Sequence, residues 1–147
     1  MAEADPFELS RFVAAQDPVF DTVLAELRAG RKKTHWMWFI FPQLRALGRS
    51  PTANFYGIGS IDEARGYLRH PMLADRLARA VDAVLGVSGP SAHEIFGSPD
   101  DLKFRSSMTL FSEAAGEEGE RFRCALQRFF AGEPDQRTLE LVGGGRR

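Results

Sequence analysis

Helix-start signals recur at short intervals along this chain, and they favour a fold built from short helices. Each signal places a side chain that can cap a helix ahead of a proline, or three residues ahead of a glutamate. Apolar residues then recur at helical spacing, and no segment alternates apolar and polar residues as a strand would. The signals stand at Asp5-Pro6 with Glu8, Asp17-Pro18, Ser60 with Glu63, Ser91 with Glu94, and Ser98 to Asp101.

These patterns predict an all-α fold, a single compact domain of about seven to eight short helices with no sheet, over residues 5–142. The glycine-rich residues 143–147 are predicted to be a disordered tail. Trp36 to Phe41 is apolar on every side and fits either a buried helix or a buried extended segment. Pro42 to Tyr56 carries turn residues and predicts a loop with one helical turn.

Charge is distributed unevenly. Between Leu27 and Ile61 there are six basic residues, no acidic residue and six of the sixteen aromatics, in a chain of net charge −1. Cations beside flat rings suit an anionic or planar ligand. Two alternatives need no ligand: the aromatic side chains form an ordinary core helix, and the Arg31-Lys32-Lys33 cluster complements a helix C-terminus.

The candidate site lies between the segment around Trp36 and a polar stripe within a later helix. Ser106, Ser107 and Thr109 are unusual there because hydroxyl side chains disfavour helix interiors, although bonding to the carbonyl four residues earlier also accounts for them. We expect Trp36 or Trp38 to stack on a ligand. Three arginines, Arg45, Arg49 and Arg105, are expected to hold its anionic group. Three polar side chains, His35, Gln43 and Ser107, are expected to orient it.

Several classes of function lack support. There is no phosphate-binding loop, no dinucleotide fingerprint and no metal-ligand spacing among the three histidines, so neither a cofactor nor a metal is predicted. A Ser–His–Asp triad can be written from His35, Ser106 or Ser107, and Asp100 or Asp101, but there is no Gly-x-Ser-x-Gly elbow. The net charge argues against general nucleic-acid binding. One cysteine, no membrane-length apolar run and no secretory signal predict a cytoplasmic protein.

Long stretches of the chain resemble the bacterial domain-of-unknown-function family 1810. The resemblance rests on His35 to Gln43, Leu47 to Ser50, Phe96 to Lys103, Arg105 to Phe111 and the opening Asp5-Pro6-Phe7, and it extends from Asp5 to about Leu141. It implies a compact all-helical domain and no particular activity. Members sometimes carry the label calpastatin, which the helical pattern does not support, because those inhibitor segments are disordered.

The leading hypothesis is therefore a module that binds a small anionic or nucleotide-like ligand. A protein–protein interaction module using the same basic patch is the first alternative. An enzyme acting on a nucleotide-like or glycosidic substrate, with His35 or an unpaired carboxylate as acid or base, is the second. The sequence leaves open whether any reaction is catalysed and what the oligomeric state is.

Overall fold

Ten α-helices and no strand make up residues 5–143, the part of the chain that the computed structural model describes. The all-α prediction is confirmed. The helices beyond the expected seven or eight are single turns, one in the Trp36 to Phe41 segment and one in the Pro42 to Tyr56 loop, where a helical turn was predicted. Two 3₁₀ turns, Arg45–Leu47 and Gly116–Glu118, complete the fold. The helices are α1 Ser10–Gln16, α2 Phe20–Arg28, α3 Met37–Ile40, α4 Pro51–Phe55, α5 Ile61–Arg69, α6 Pro71–Leu85, α7 Ala92–Phe96, α8 Asp100–Ala115, α9 Glu120–Phe130 and α10 Gln136–Gly143.

The capping signals mark the starts of α5 and α7 correctly. The hydroxyl of Ser60 accepts a hydrogen bond from the Glu63 backbone N–H at 3.1 Å. At α7 the full capping box forms, with Ser91 and Glu94 each accepting the other's backbone N–H. These bonds satisfy amide groups that have no partner within a helix, which is why so short a sequence pattern locates a helix start.

The first helix begins later than the sequence predicted. Instead of capping a helix at Pro6, the Asp5 carboxylate accepts the backbone N–H groups of Leu9 and Ser10 at 2.7 and 3.1 Å. Those two bonds close a tight turn in which Glu8 has a positive φ of 54°. Glu8 therefore cannot complete a capping box, and α1 starts at Ser10.

Helix α8 runs through the centre of the domain and packs against α5, α7, α9 and α10. Phe104 is fully buried, and its ring stacks on Phe96 at 4.7 Å and meets Phe41 edge-on at 4.9 Å. This aromatic cluster joins α8 to α7 and to the end of α3. Most of the apolar Trp36 to Phe41 segment therefore belongs to the hydrophobic core, where Met37 and Ile40 are also buried.

The loop between α3 and α5 is held in place by an isolated bridge between Leu44 and Ile58. The Arg45 backbone N–H donates to the Ile58 carbonyl at 2.8 Å, and the Ile58 N–H donates to the Gln43 carbonyl at 2.9 Å. Gly57 permits this close approach, because a Cβ there would lie 2.4 Å from Arg45 Cα. The bridge therefore ties the start of this loop to its end, next to the start of α5.

Two further observations complete the fold. Among residues 5–143, no helix is both long enough and apolar enough to cross a membrane. Gly143, which the sequence assigned to the tail, forms the last residue of α10. The rest of the predicted tail, residues 144–147, lies outside the described residues.

Candidate functional site

A cleft of about 450 Å³ lies between the loop after α3 and the first two turns of α8. We call it the α8 cleft. The loop after the aromatic segment and the polar stripe of α8, both singled out in the sequence, therefore border the same cleft. The start of α10 forms a third side. The lining residues are Gln43, Leu47, Gly48, Arg49, Ser50 and Ala53 from the loop, Pro99, Leu102, Lys103 and Ser106 from α8 and its approach, and Asp135 and Arg137 from the start of α10.

The lining of the α8 cleft carries an excess of positive charge. Three cations, Arg49, Lys103 and Arg137, face one carboxylate, Asp135, which gives a net charge of +2. Within the described residues, neither Arg49 nor Arg137 has a carboxylate at ion-pair distance or a side-chain hydrogen bond. Lys103 is partly neutralised, because its Nζ lies 3.4 Å from Asp100.

The rest of the cleft surface is mostly apolar. Leu47, Ala53, Pro99 and Leu102 supply this surface, and Leu102 remains 55% exposed at the rim. The Gln43 side chain faces the cleft without a hydrogen-bond partner among residues 5–143. A mostly apolar pocket with a few polar groups is the usual composition of a small-molecule site.

Trp38 lies beside the α8 cleft. It lines a narrow recess that shares Gln43, Ala53 and Lys103 with the cleft. The recess holds only about 10 Å³, which is about the space of one water molecule. Lys103 Nζ lies 5.7 Å from the centre of the Trp38 ring. The half-buried indole is therefore positioned to stabilise this cation.

Trp36 has a different role from the one expected. Its side chain is 1% exposed, and its indole N–H donates to Glu26 Oε1 at 3.0 Å. Lys32 Nζ covers the ring at 5.3 Å. The expectation that Trp36 can stack on a ligand is corrected, because the ring is enclosed by the core and its one donor is already used.

The Glu26 carboxylate organises the basic segment that contains Trp36. Burial by itself raises the pKa of Glu26, but four hydrogen bonds outweigh it and lower the pKa from 4.5 to about 2. The donors are the Thr34 hydroxyl at 2.7 Å, the backbone N–H groups of Lys33 and Thr34 at 2.7 and 3.0 Å, and the Trp36 indole. The segment is thus held to α2 by one ionised side chain.

Arg45 and Arg105, both proposed as anion-binding residues, face away from the α8 cleft. The Arg45 guanidinium donates to the carbonyl groups of Asn54 and Gly57 and lines a separate cavity beside Arg11. The Arg105 guanidinium donates to the Glu133 carbonyl at 2.9 Å. The expectation that they share a site with Arg49 is therefore corrected, because each is bonded elsewhere.

The polar stripe of α8 divides between three environments. Ser106 lines the cleft and donates to the Leu102 carbonyl at 3.1 Å. Ser107 is fully buried, and its hydroxyl has no hydrogen-bond partner among the described residues. Thr109 donates to the Arg105 carbonyl and accepts the Asp135 backbone N–H, both at 2.8 Å. Ser106 thus replaces Ser107 as the hydroxyl that can reach a ligand.

No Ser–His–Asp triad is assembled from the candidate residues. His35 is exposed and outside the cleft. Asp100 pairs with Lys32 at 3.0 Å, and Asp101 lies 3.5 Å from His93. Of the eight predicted site residues, the structure brings Gln43 and Arg49 into the cleft and Trp38 next to it.

Five polar residues of the cleft were not among the ligand-binding residues predicted from the sequence: Ser50, Lys103, Ser106, Asp135 and Arg137. Lys103 and Ser106 fall one helical turn apart on α8, so the helical spacing would have placed them together. Asp135 follows Pro134 and precedes α10, where it accepts the Thr138 backbone N–H as a capping residue. The sequence could therefore have predicted a helix cap at Asp135, but only the tertiary fold places the start of α10 next to α8.

All the residues that line the cleft fall within the part of the chain that one family model matches. The model described as "Protein of unknown function (DUF1810)" matches residues 6–142. A solved structure, that of the conserved hypothetical protein Rv1873 from Mycobacterium tuberculosis, is similar with 53% sequence identity and a TM-score of 0.92. The match covers 94% of this chain and 98% of that one. No curated protein matches the chain.

Proposed function

This chain belongs to the family of proteins of unknown function DUF1810, and we propose that it binds a small anionic ligand in the α8 cleft. This is the kind of function predicted from the sequence, but the residues assigned to the site are partly different. Arg49 and Arg137 hold the anionic group, Lys103 adds positive charge, and Gln43 and Ser106 orient the ligand.

One observation carries the proposal: two guanidinium groups without carboxylate partners line the same mostly apolar hollow. Two less exposed arginines of the described chain are paired with carboxylates, Arg11 with Glu63 at 2.8 Å and Arg76 with Asp17 at 2.7 Å, whereas Arg49 and Arg137 are exposed at the cleft. Unpaired guanidinium groups retain all their donors for a phosphate or carboxylate, which they bind with planar, charge-assisted hydrogen bonds.

The dimensions and surface of the cleft support a small molecule as the ligand. Its volume of about 450 Å³ falls within the range that is usual for small-molecule pockets. The apolar surface around Leu47 and Leu102 provides contact area for the uncharged part of a ligand. Trp38 contributes through Lys103, which its ring contacts, and not by stacking directly on a ligand in the wide part of the cleft.

A ligand panel tests this proposal. Phosphorylated metabolites, nucleotides and dicarboxylates are screened by thermal shift, and hits are titrated calorimetrically against wild type, Arg49→Ala and Arg137→Ala. A charge-assisted hydrogen bond contributes about 1.5–3 kcal/mol, so each substitution is expected to weaken binding by about ten- to a hundredfold. Affinity should also fall as salt concentration rises.

Arg31→Ala is the matched control. Arg31 belongs to the same basic window and is exposed, but it does not line the α8 cleft. Binding should survive this substitution unchanged. The proposal fails if no member of the panel raises the melting temperature of wild type, or if Arg31→Ala weakens binding as much as Arg49→Ala does.

A second candidate function is recognition of an acidic peptide by the same surface. The observation that favours it is Leu102, a large apolar side chain 55% exposed at the rim of a cationic cleft. A partner segment with an apolar side chain next to a carboxylate would match it. Pull-down with wild type and Arg49→Glu distinguishes the two: a stoichiometric partner lost on charge reversal, with no small-molecule hit, favours the peptide.

A further inference from the structure

We infer that the ligand of the α8 cleft carries hydroxyl groups as well as its anionic group, as a phosphorylated sugar or polyol does, and that Asp135 selects for them. The inference rests on the proposed function and specifies its ligand class. It is based on the Asp135 carboxylate, which is held in place beside the cations of the cleft and has one oxygen that accepts no hydrogen bond among the described residues.

The position of Asp135 is fixed by two buried threonines. Its backbone N–H donates to Thr109 Oγ1 at 2.8 Å, and Thr109 is 1% exposed. Its Oδ2 accepts the Thr138 backbone N–H at 3.0 Å and the Thr138 hydroxyl at 2.5 Å, and Thr138 is fully buried. Within residues 5–143, Oδ1 accepts no hydrogen bond. The carboxylate is therefore held in one orientation, and Asp135 lines the cleft with one of its two oxygens unbonded.

A site for a simple anion would gain nothing from this carboxylate, because it repels the ligand's negative charge. A carboxylate oxygen held in place is, however, a strong acceptor for a hydroxyl group. Ser106 also lines the cleft and supplies a second acceptor, since its own proton is donated to the Leu102 carbonyl. The cleft thus offers cations and hydrogen-bond acceptors together.

An ammonium group could also bind Asp135, but the charge balance disfavours it. Arg49, Lys103 and Arg137 outnumber the one carboxylate of the lining, so the cleft stays positive even with Lys103 partly neutralised by Asp100, and it repels a second cation. A hydroxyl donates a hydrogen bond without adding charge. The arrangement therefore fits a ligand that combines a phosphate with neutral donors.

The simpler account is that Asp135 only caps α10. Capping needs one side-chain oxygen, and Asn and Ser fulfil this role about as well as Asp. Asp135→Asn and Asp135→Ser therefore preserve the cap while removing the charged acceptor. If one variant fails to fold, the other still provides the test.

The experiment uses two pairs of phosphate esters that differ only in hydroxyl groups: glycerol 3-phosphate with propyl phosphate, and adenosine 5′-monophosphate with its 2′,3′-dideoxy form. Calorimetric titration of wild type should show about tenfold or more tighter binding of the hydroxylated member in one pair. The Asp135 variants should lose that preference and bind the ester without hydroxyl groups equally well or more tightly, because a repelling charge is removed.

The outcomes separate the inference from the proposed function. Equal binding of both members of each pair by wild type overturns the inference and leaves anion binding intact. A hydroxyl preference that persists in both Asp135 variants also overturns it. If none of the four esters, nor any other anion of the ligand panel, binds wild type, the proposed function falls and the inference with it.

Discussion

Replacing Glu26 by Gln should destabilise the protein in a pH-dependent way. The Glu26 carboxylate accepts four hydrogen bonds from Lys33, Thr34 and Trp36, and these lower its pKa from 4.5 to about 2 despite burial. Gln has nearly the same shape and keeps one acceptor oxygen. The substitution therefore removes mainly the negative charge that strengthens these bonds.

The size of the effect follows from the two pKa values. The pKa of this carboxylate is 4.5 in the unfolded chain and about 2 in the folded protein. At pH values above 4.5 it therefore contributes about 3 kcal/mol to the free energy of unfolding. Its pKa is lowered on folding, so this contribution is complete above about pH 4.5 and is lost as the pH falls toward 2. The rest of the chain is the same in both proteins, so the difference in stability between wild type and Glu26→Gln isolates the contribution of this carboxylate.

Urea unfolding of both proteins, followed by tryptophan fluorescence at pH 7, 4.5, 3.5 and 2.5, measures the difference. We expect Glu26→Gln to be less stable by about 2–3 kcal/mol at pH 7, with the gap closing as the pH falls below 4.5. The Trp36 emission of the folded variant should stay blue-shifted, because Gln preserves the packing. A stability gap that is the same at pH 7 and pH 2.5 would refute the reasoning.

Two other substitutions test the energetics of buried polar groups. Ser107→Ala removes a fully buried hydroxyl that has no partner among the described residues, so the free energy of unfolding should rise by about 1 kcal/mol and the melting temperature with it; a loss of stability would mean that the hydroxyl has a partner in solution. Glu63→Gln leaves the Arg11 guanidinium without its ion-pair partner, which lies 2.8 Å away, and the two side chains are only 9% and 6% exposed. We expect a loss of about 3 kcal/mol in denaturant unfolding. The control Asp62→Asn, whose ion pair is exposed, should lose about 1 kcal/mol or less. Equal effects of the two carboxylate substitutions would contradict this.

The fold was largely predictable because its signals are local. Ser60 and Ser91 each cap a helix through a residue three positions away, so the sequence pattern and the hydrogen bonds coincide. The same reasoning failed at Asp5. Its carboxylate bonds to the amides of Leu9 and Ser10 instead, which shifts the start of α1 by several residues.

The site was only partly predictable, because the direction in which a side chain points depends on tertiary contacts. Ser106 and Ser107 are adjacent, yet one lines the cleft and the other is sealed in the core. Trp36 and Trp38 differ in the same way, since Glu26 draws only Trp36 into the interior. Asp135 lies far along the chain from Ser106, and only the packing of α10 against α8 brings them together.

The central claim is that Arg49 and Arg137 bind an anionic group in the α8 cleft. A crystal structure of the protein grown with its best phosphorylated ligand from the panel tests it most directly. We expect density for the phosphate within hydrogen-bond distance of one or both guanidinium groups, with the remainder of the ligand over Leu47 and Leu102. A ligand bound instead at the Arg11 and Arg45 cavity, with the α8 cleft empty, would contradict it.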